Sequence, residues 1–221
     1  MDIILTNARS IELKIDSLCD QIVAYNAAVV LITESWLKTS RNFDRVKERL
    51  ELDKGLKIHA YNRPGKRAGG GVCIVSDPRK IKLEENKFKR RSYEICSVKG
   101  NLVGLNRNIV LYVVYLPPNL GNNKAEEACL LINDDITRIN VELNDPLVII
   151  AGDVNQNGIS KCVVDHLSYS IVTPLETRGK SRIDQVACNC IDYIVENETI
   201  PPLESITCES DHRGVWCKVS K

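Results

Sequence analysis

The feature that most constrains this chain is a series of short runs rich in Val, Ile and Tyr, at residues 2–6, 28–33, 57–61, 71–76, 93–99, 109–115, 147–152, 190–195 and 213–219. β-Branched and aromatic residues in runs this short, bounded by polar or glycine-containing segments, predict β-strands. Two longer stretches carry helical spacing instead. From Ile11 to Tyr25 the apolar positions are Ile11, Leu13, Ile15, Leu18, Ile22 and Val23, and from Ala125 to Leu143 they include Leu130, Leu131, Ile136, Ile139 and Val141. A shorter helix is expected over 44–52. The strands outnumber the helices and bracket them, with no strict alternation. The economical architecture is an α/β protein: a four-layered sandwich of two packed mixed β-sheets with helices on the outer faces. With 221 residues, and no repeat, low-complexity tract or linker, a single domain over 1–221 is expected.

Composition excludes several classes. An apolar content of 43% and a charged content of 27% suit a globular chain, and no apolar run reaches the roughly 20 residues of a membrane span. Met1-Asp2-Ile3-Ile4-Leu5 meets polar residues at once, which a signal peptide would not do; it reads as a first strand. The 9 cysteines are odd in number and scattered among Val, Ile and Ala, the pattern of reduced buried thiols in an intracellular protein. Cys188-Asn189-Cys190 has no second pair at zinc-ligand spacing. The net charge of +1 predicts no polyanion partner. Basic residues nevertheless cluster at Arg63-Lys66-Arg67, Lys80-Lys82, Lys87-Lys89-Arg90-Arg91 and Arg178-Lys180-Arg182, and clusters converging on one edge would form a phosphate-tracking rim.

Polar residues stand where the apolar runs stop. Asn7 ends the first, Glu34 follows Val29-Val30-Leu31-Ile32-Thr33, and Tyr115 precedes Leu116-Pro117-Pro118-Asn119. Asp153 and Asn155 end Leu147-Val148-Ile149-Ile150-Ala151-Gly152, two residues apart and so on one face of an extended chain. Ser210-Asp211-His212 opens the last strand, putting a carboxylate beside an imidazole near its ordinary neutral range. Glycines 69–71 precede a strand, not a helix, and therefore make neither a P-loop nor a dinucleotide site.

Phosphodiester hydrolysis needs an in-line water, a base, a cation on the phosphate oxygens and donors for the developing charge. Glu34 offers a hard oxygen to magnesium, Asp153 can orient the water, and the Asn155 amide can donate to a phosphate oxygen. Asp192, inside Cys190-Ile191-Asp192-Tyr193-Ile194-Val195, is a charge in an apolar run and needs a partner, for which His212 is the candidate.

The segments Thr33-Glu34-Ser35-Trp36-Leu37, Gly69-Gly70-Gly71-Val72, Val114-Tyr115-Leu116-Pro117-Pro118, Gly152-Asp153-Val154-Asn155, Cys190-Ile191-Asp192-Tyr193-Ile194 and Ser210-Asp211-His212 resemble the endonuclease/exonuclease/phosphatase superfamily, whose fold is DNase I-like. Within it the chain is most similar to the AP-endonuclease-type domain of non-LTR (LINE-type) retrotransposon polyproteins; Asn7-Ala8-Arg9-Ser10-Ile11 and Thr33 to Leu37 carry that likeness. The resemblance implies Glu34 as main metal ligand, with Asn7 and Asp211 near the metal. It implies Asp153 orienting the water, Asn155 and Tyr115 on the phosphate, and an Asp192–His212 pair at the scissile phosphate.

The base is left open between Asp153 and His212 with Asp192. Asp184, in a second Ile-Asp step, is the rival partner for His212. Arg9 stands where AP endonucleases carry an aspartate, which argues against abasic-site repair. Arg9, Arg178, Lys180 and Arg182 are expected along DNA, although 177–182 can equally be a plain surface turn.

The implied activity is a Mg2+-dependent endonuclease, with Mn2+ as the substitute ion. It would nick one strand of duplex DNA and leave a 3′-hydroxyl that primes target-primed reverse transcription by a reverse-transcriptase domain of the same polyprotein. The domain is expected to act in the nucleus, as a monomer, away from membranes. A phosphatase or phosphodiesterase of the same superfamily, or an inert DNA-binding domain of this fold, are the competing readings.

Overall fold

Each sequence run that is apolar throughout becomes a strand buried on both faces. The computed structural model describes residues 1–37, 39–61, 69–87, 93–102, 106–155, 168–173, 176–205 and 210–220. The first sheet contains β1 (Asp2–Asn7), β2 (Val29–Thr33), β3 (Lys57–Tyr61), β4 (Val72–Ser76), β11 (Ile194–Ile200) and β12 (Gly214–Val219), in the order β11-β12-β1-β2-β4-β3. The second contains β5 (Leu83–Glu85), β6 (Glu94–Leu102), β7 (Arg107–Tyr115), β8 (Leu147–Asp153), β9 (Ser170–Ile171) and β10 (Asp184–Cys188), in the order β5-β6-β7-β8-β10-β9.

The period of two along a strand assigns its two faces. Ile3, Leu5, Leu31 and Ile74 point between the sheets and meet Val98, Leu111, Ile149 and Val186. Ile4, Val30, Ile32 and Val75 point outward, under α1 (Ile15–Ala24) and α2 (Ser40–Glu48). On the second sheet Val110, Tyr112, Val148 and Ile150 are covered by α3 (Asn122–Leu143). The result is the four-layered α/β sandwich, with mixed sheets as expected: β1–β2 and β7–β8 are parallel and the other pairings antiparallel.

The helices bury a different stripe from the one the bulkiest residues suggest. Ala125, Ala128, Cys129, Ile132, Ile136 and Ile139 face the sheet from α3, at i, i+3, i+4 spacing, while Val141 is 86% exposed. Small residues let the helix approach the sheet closely. At the other helix Ile15, Leu18 and Ile22 are buried, and Leu13 and Val23 face solvent.

The largest departure from expectation lies after residue 180. Residues 184–188 form β10, and the apolar-looking 190–195 does not form one strand: Ile191–Tyr193 is a single 3₁₀ turn, after which β11 runs out along the exposed sheet edge. No described helix is long and apolar enough to cross a membrane. Among the described cysteines all are free thiols.

Parallel pairing places the ends of β1 and β2 side by side (Asn7 opposite Thr33), and likewise β7 and β8 (Tyr115 opposite Asp153). Antiparallel β10 begins where β8 ends, with Asp184 opposite Asp153. Gly152 makes the close β7–β8 pairing possible, because a Cβ there would lie 1.8 Å from the Val114 carbonyl oxygen. The polar residues that terminate the strands therefore meet at one edge of the sandwich.

Candidate active site

The residues that end β1 and β2 form the first half of the site. Asn7 is buried, and its Nδ2 donates to Glu34 Oε1 at 3.1 Å and to Asp153 Oδ2 at 2.8 Å. Its Oδ1 accepts from the Arg9 backbone N–H at 3.1 Å, so every polar atom of the amide is committed. Glu34 is partly exposed at the rim, and the Trp36 indole N–H donates to its Oε2 at 3.1 Å. Backbone conformation here is unusual: Arg9, Ser10, Glu34, Trp36 and Asn155 all have positive φ, which non-glycine residues adopt at a cost of about 1–3 kcal/mol. Gly71, at φ +83°, allows the glycine loop to accept from Ser35 N–H, while Gly70 accepts from Trp36 N–H. A Cβ on Gly71 would come within 2.7 Å of Ser35 Oγ.

The second half crosses between the sheets. His212 Nδ1 lies 2.8 Å from Asp184 Oδ2 and 3.9 Å from Asp153 Oδ2, with all three side chains buried. Asp184, not Asp192, is the partner of His212. Asp192 sits in the exposed 3₁₀ turn, whereas β10 carries Asp184 into register with Asp153. The other oxygen of Asp184, Oδ1, is buried with no hydrogen-bond partner among the described residues.

Burial, then the neighbouring Asp184 carboxylate, pushes the Asp153 carboxyl up to about 7, against the pull of His212 and the Asn7 donor. Burial works against a charged His212, but the Asp184 hydrogen bond and the surrounding carboxylates outweigh it and hold its pKa above the ordinary imidazole value. Ser210 fixes the approach to the histidine: its Oγ donates to the Asn7 carbonyl at 2.7 Å and accepts from His212 N–H at 3.3 Å.

The remaining expected residues fall around this centre. Asp211 faces out, held by Arg9 Nη1 at 3.0 Å and Arg178 Nη2 at 2.8 Å, with His212 Nε2 3.6 Å from its Oδ1. Burial alone would raise its pKa; His212, Arg178 and Arg9 reverse that and lower it. Asn155 donates its backbone N–H to Asp153 Oδ1 at 3.2 Å and its amide to the Leu116 carbonyl at 3.1 Å. Tyr115 is buried at the end of β7. Arg178, Lys180 and Arg182 are exposed on a tight turn closed by Arg178–Ser181 pairing. The basic groups at 63–67 and 89–91 lie outside the described residues. Trp36, Ser210 and Thr177, whose Oγ1 accepts from Asp184 N–H at 3.0 Å, complete the site without having been given roles; Trp36 and Ser210 lie inside the motifs around Glu34 and His212, and Thr177 had no local signal.

The sequence matches the Endonuclease/Exonuclease/phosphatase family over residues 5–212, which includes every group just described. The chain belongs to that family. The endonuclease domain of TRAS1, a telomere-specific non-LTR retrotransposon, superimposes at TM-score 0.71 and 16% identity, over 99% of this chain and 97% of that one. The human Nocturnin catalytic domain does so at 0.72 and 13%, over 100% and 93%, and the AP endonuclease LMAP from Leishmania major at 0.73 and 11%, over 100% and 87%. At these identities the likeness is one of fold. No curated protein matches the sequence.

Members of the endonuclease/exonuclease/phosphatase superfamily are typically metal-dependent hydrolases, and the donors in this chain fit a divalent ion. Ligand atoms of Asp153, Asp184 and His212 all lie within 4.8 Å of one another. The orphaned Asp184 Oδ1 and the rim carboxylate of Glu34 add hard oxygens, which suit cations that prefer oxygen to sulfur.

Proposed function

We propose that this domain is a Mg2+-dependent endonuclease, with Mn2+ able to substitute, that nicks one strand of duplex DNA and leaves a 3′-hydroxyl. That end would prime reverse transcription by a reverse-transcriptase domain of the same polyprotein, in the nucleus, with the domain acting as a monomer. The observation that carries the reading is the buried Asp184–His212 pair at 2.8 Å beside Asp153, which one asparagine ties to Glu34. The likeness to the TRAS1 domain supports the retrotransposon branch.

Glu34, with Asn7 and Asp211 nearby, would hold the ion at the rim, leaving Asp153, Asp184 and His212 to the proton chemistry; when bound the ion withdraws charge from the phosphate oxygens. Asp153 takes the proton of the attacking water; a carboxyl pushed up to about 7 is matched to a base working near neutral pH. Water oxygen bonds to phosphorus, the P–O3′ bond breaks with its electron pair on the 3′-oxygen, and that oxygen takes a proton from solvent to become the hydroxyl. His212, kept cationic by Asp184, donates to a non-bridging phosphate oxygen as charge builds there. Tyr115 and Asn155 contact the same phosphate, which requires the Asn155 amide to turn from the Leu116 carbonyl. Arg9, Arg178, Lys180 and Arg182 follow the flanking backbone as counter-charges.

The test is nicking of supercoiled plasmid with Mg2+, beside EDTA and beside Asp153→Ala and His212→Ala. Open circles that need both the metal and the intact pair are expected. Folded protein that binds DNA without nicking it would instead support an inert DNA-binding domain, and protein that does neither would point to small phosphoesters.

A further inference from the structure

Lys14 is among the most deeply buried side chains of the molecule, 1% exposed, although its residue type is almost never found inside. Its ammonium donates to two consecutive carbonyls, Ala8 O at 2.6 Å and Arg9 O at 3.0 Å. These belong to the turn that follows β1, where Arg9 has φ +39° and Ser10 φ +83°. Drawing both carbonyls inward turns the intervening N–H groups the other way. Arg9 N–H then meets Asn7 Oδ1 at 3.1 Å, and Ser10 N–H meets the Glu34 carbonyl at 2.9 Å.

The first of these bonds decides the orientation of the Asn7 amide. With Oδ1 satisfied by Arg9 N–H, Nδ2 is left facing Glu34 and Asp153, the one arrangement in which the amide donates to both carboxylates. A flipped amide would set an oxygen against two carboxylates. Strained φ values persist where the surrounding bonds over-determine them, and the two Lys14 contacts are among the bonds that hold this turn.

We propose that Lys14 is a positioning residue for the reaction: its buried ammonium clamps the strained 8–10 turn and thereby fixes the Asn7 amide that ties Glu34 to Asp153. This rests on the nuclease reading above. In a full-length Lys14→Met variant the nicking kcat is expected to fall roughly 10–100-fold, with KM for DNA unchanged, as is usual when a group supporting a site is lost. In an Asn7→Ala background the same change should cost less than about 2-fold, because the group through which it acts is gone. Equal losses in both backgrounds, or a folded Lys14→Met protein with wild-type kcat, would overturn the proposal.

A second measurement needs neither nicking nor metal. The Asn7 side-chain amide, assigned in a 15N-labelled sample by its loss in Asn7→Asp, should shift in the gentler Lys14→Gln variant. An amide pair that stays in place would refute the clamp even if plasmid is not cut. A wild-type protein that fails to nick but shows the shift would retain the clamp and reject the nuclease reading.

Discussion

Asp153 and Asp135 are both carboxylates buried against the second sheet, and their surroundings could hardly differ more. Asp135, on the α3 face, accepts from Asn86 Nδ2 at 2.7 Å, from the Tyr112 hydroxyl at 2.6 Å and from Arg138 Nε and Nη2 at 3.1 and 2.6 Å. Burial and the adjacent carboxylate push the Tyr112 hydroxyl far up, so it remains a donor at any physiological pH. Asp153, at the sheet edge, has another carboxylate directly opposite it in register, and one oxygen of that neighbour has no hydrogen-bond partner among the described residues. A saturated network holds structure together, whereas one left short of donors and long on negative charge is poised to bind or to react.

The contrast can be broken most forcefully at the imidazole. His212→Ala, Asp153→Ala and Asp184→Asn should each lower the nicking rate by about 10³–10⁴-fold, or roughly 4–5.5 kcal/mol, while the melting temperature stays level or rises. Plasmid nicking paired with calorimetry measures both sides. A substitution here that unfolded the protein without touching the rate per folded molecule would make the edge cluster as structural as Asp135.

Asp135→Ala should do the converse. It removes one of the two carboxylates that hold the half-exposed Arg138, Glu142 remaining, and takes an acceptor from the Asn86 amide and the Tyr112 hydroxyl, a loss of about 1–3 kcal/mol for buried groups left short of a bond. Urea titration should show that loss, with kcat per folded molecule unchanged.

How the two regions announce themselves in sequence follows from their construction. Asn7, Glu34 and Asp153 were legible because each ends an apolar run that can only be a strand, and parallel neighbours bring such ends together. The Asp135 network was invisible, since Asn86, Tyr112 and Asp135 come from three segments that meet only through packing. The edge strand β11 was misplaced for a related reason. Cys190-Ile191-Asp192-Tyr193-Ile194-Val195 has a strand's composition, yet residues 191–193 turn outward, and the chain pairs afterwards through Glu196, Asn197 and Glu198, whose polarity suits an exposed edge.

Acidity should expose the strain at Asp153. The folded protein holds a proton on Asp153 to about pH 7, and an unfolded chain releases it near 3.8. A folded pKa above the unfolded one gives stability that is complete below the unfolded value and is lost as pH rises through the folded value. Metal-free protein should therefore weaken between about pH 4 and pH 7. Asp153→Asn removes the dependence, and above pH 7 it should exceed the wild type by on the order of 2–4 kcal/mol. Parallel stability curves for the two proteins across this range would show that Asp153 carries no such strain.

The smallest effect discriminates between two look-alike residues. Asp184 and Asp192 each follow an isoleucine, but only β10 faces its aspartate toward the other sheet, where His212 waits before β12. Asp192 lies in the exposed turn, so Asp192→Asn should change the nicking rate by less than about 2-fold and stability by no more than about 0.5 kcal/mol, the range of ordinary surface substitutions. Set beside Asp184→Asn in one assay, it asks whether the imidazole is supported from the strand or from the turn. A large loss at Asp192 with little at Asp184 would mean that the final strands pair differently in the working enzyme, and that the partner of His212 comes from its own sheet.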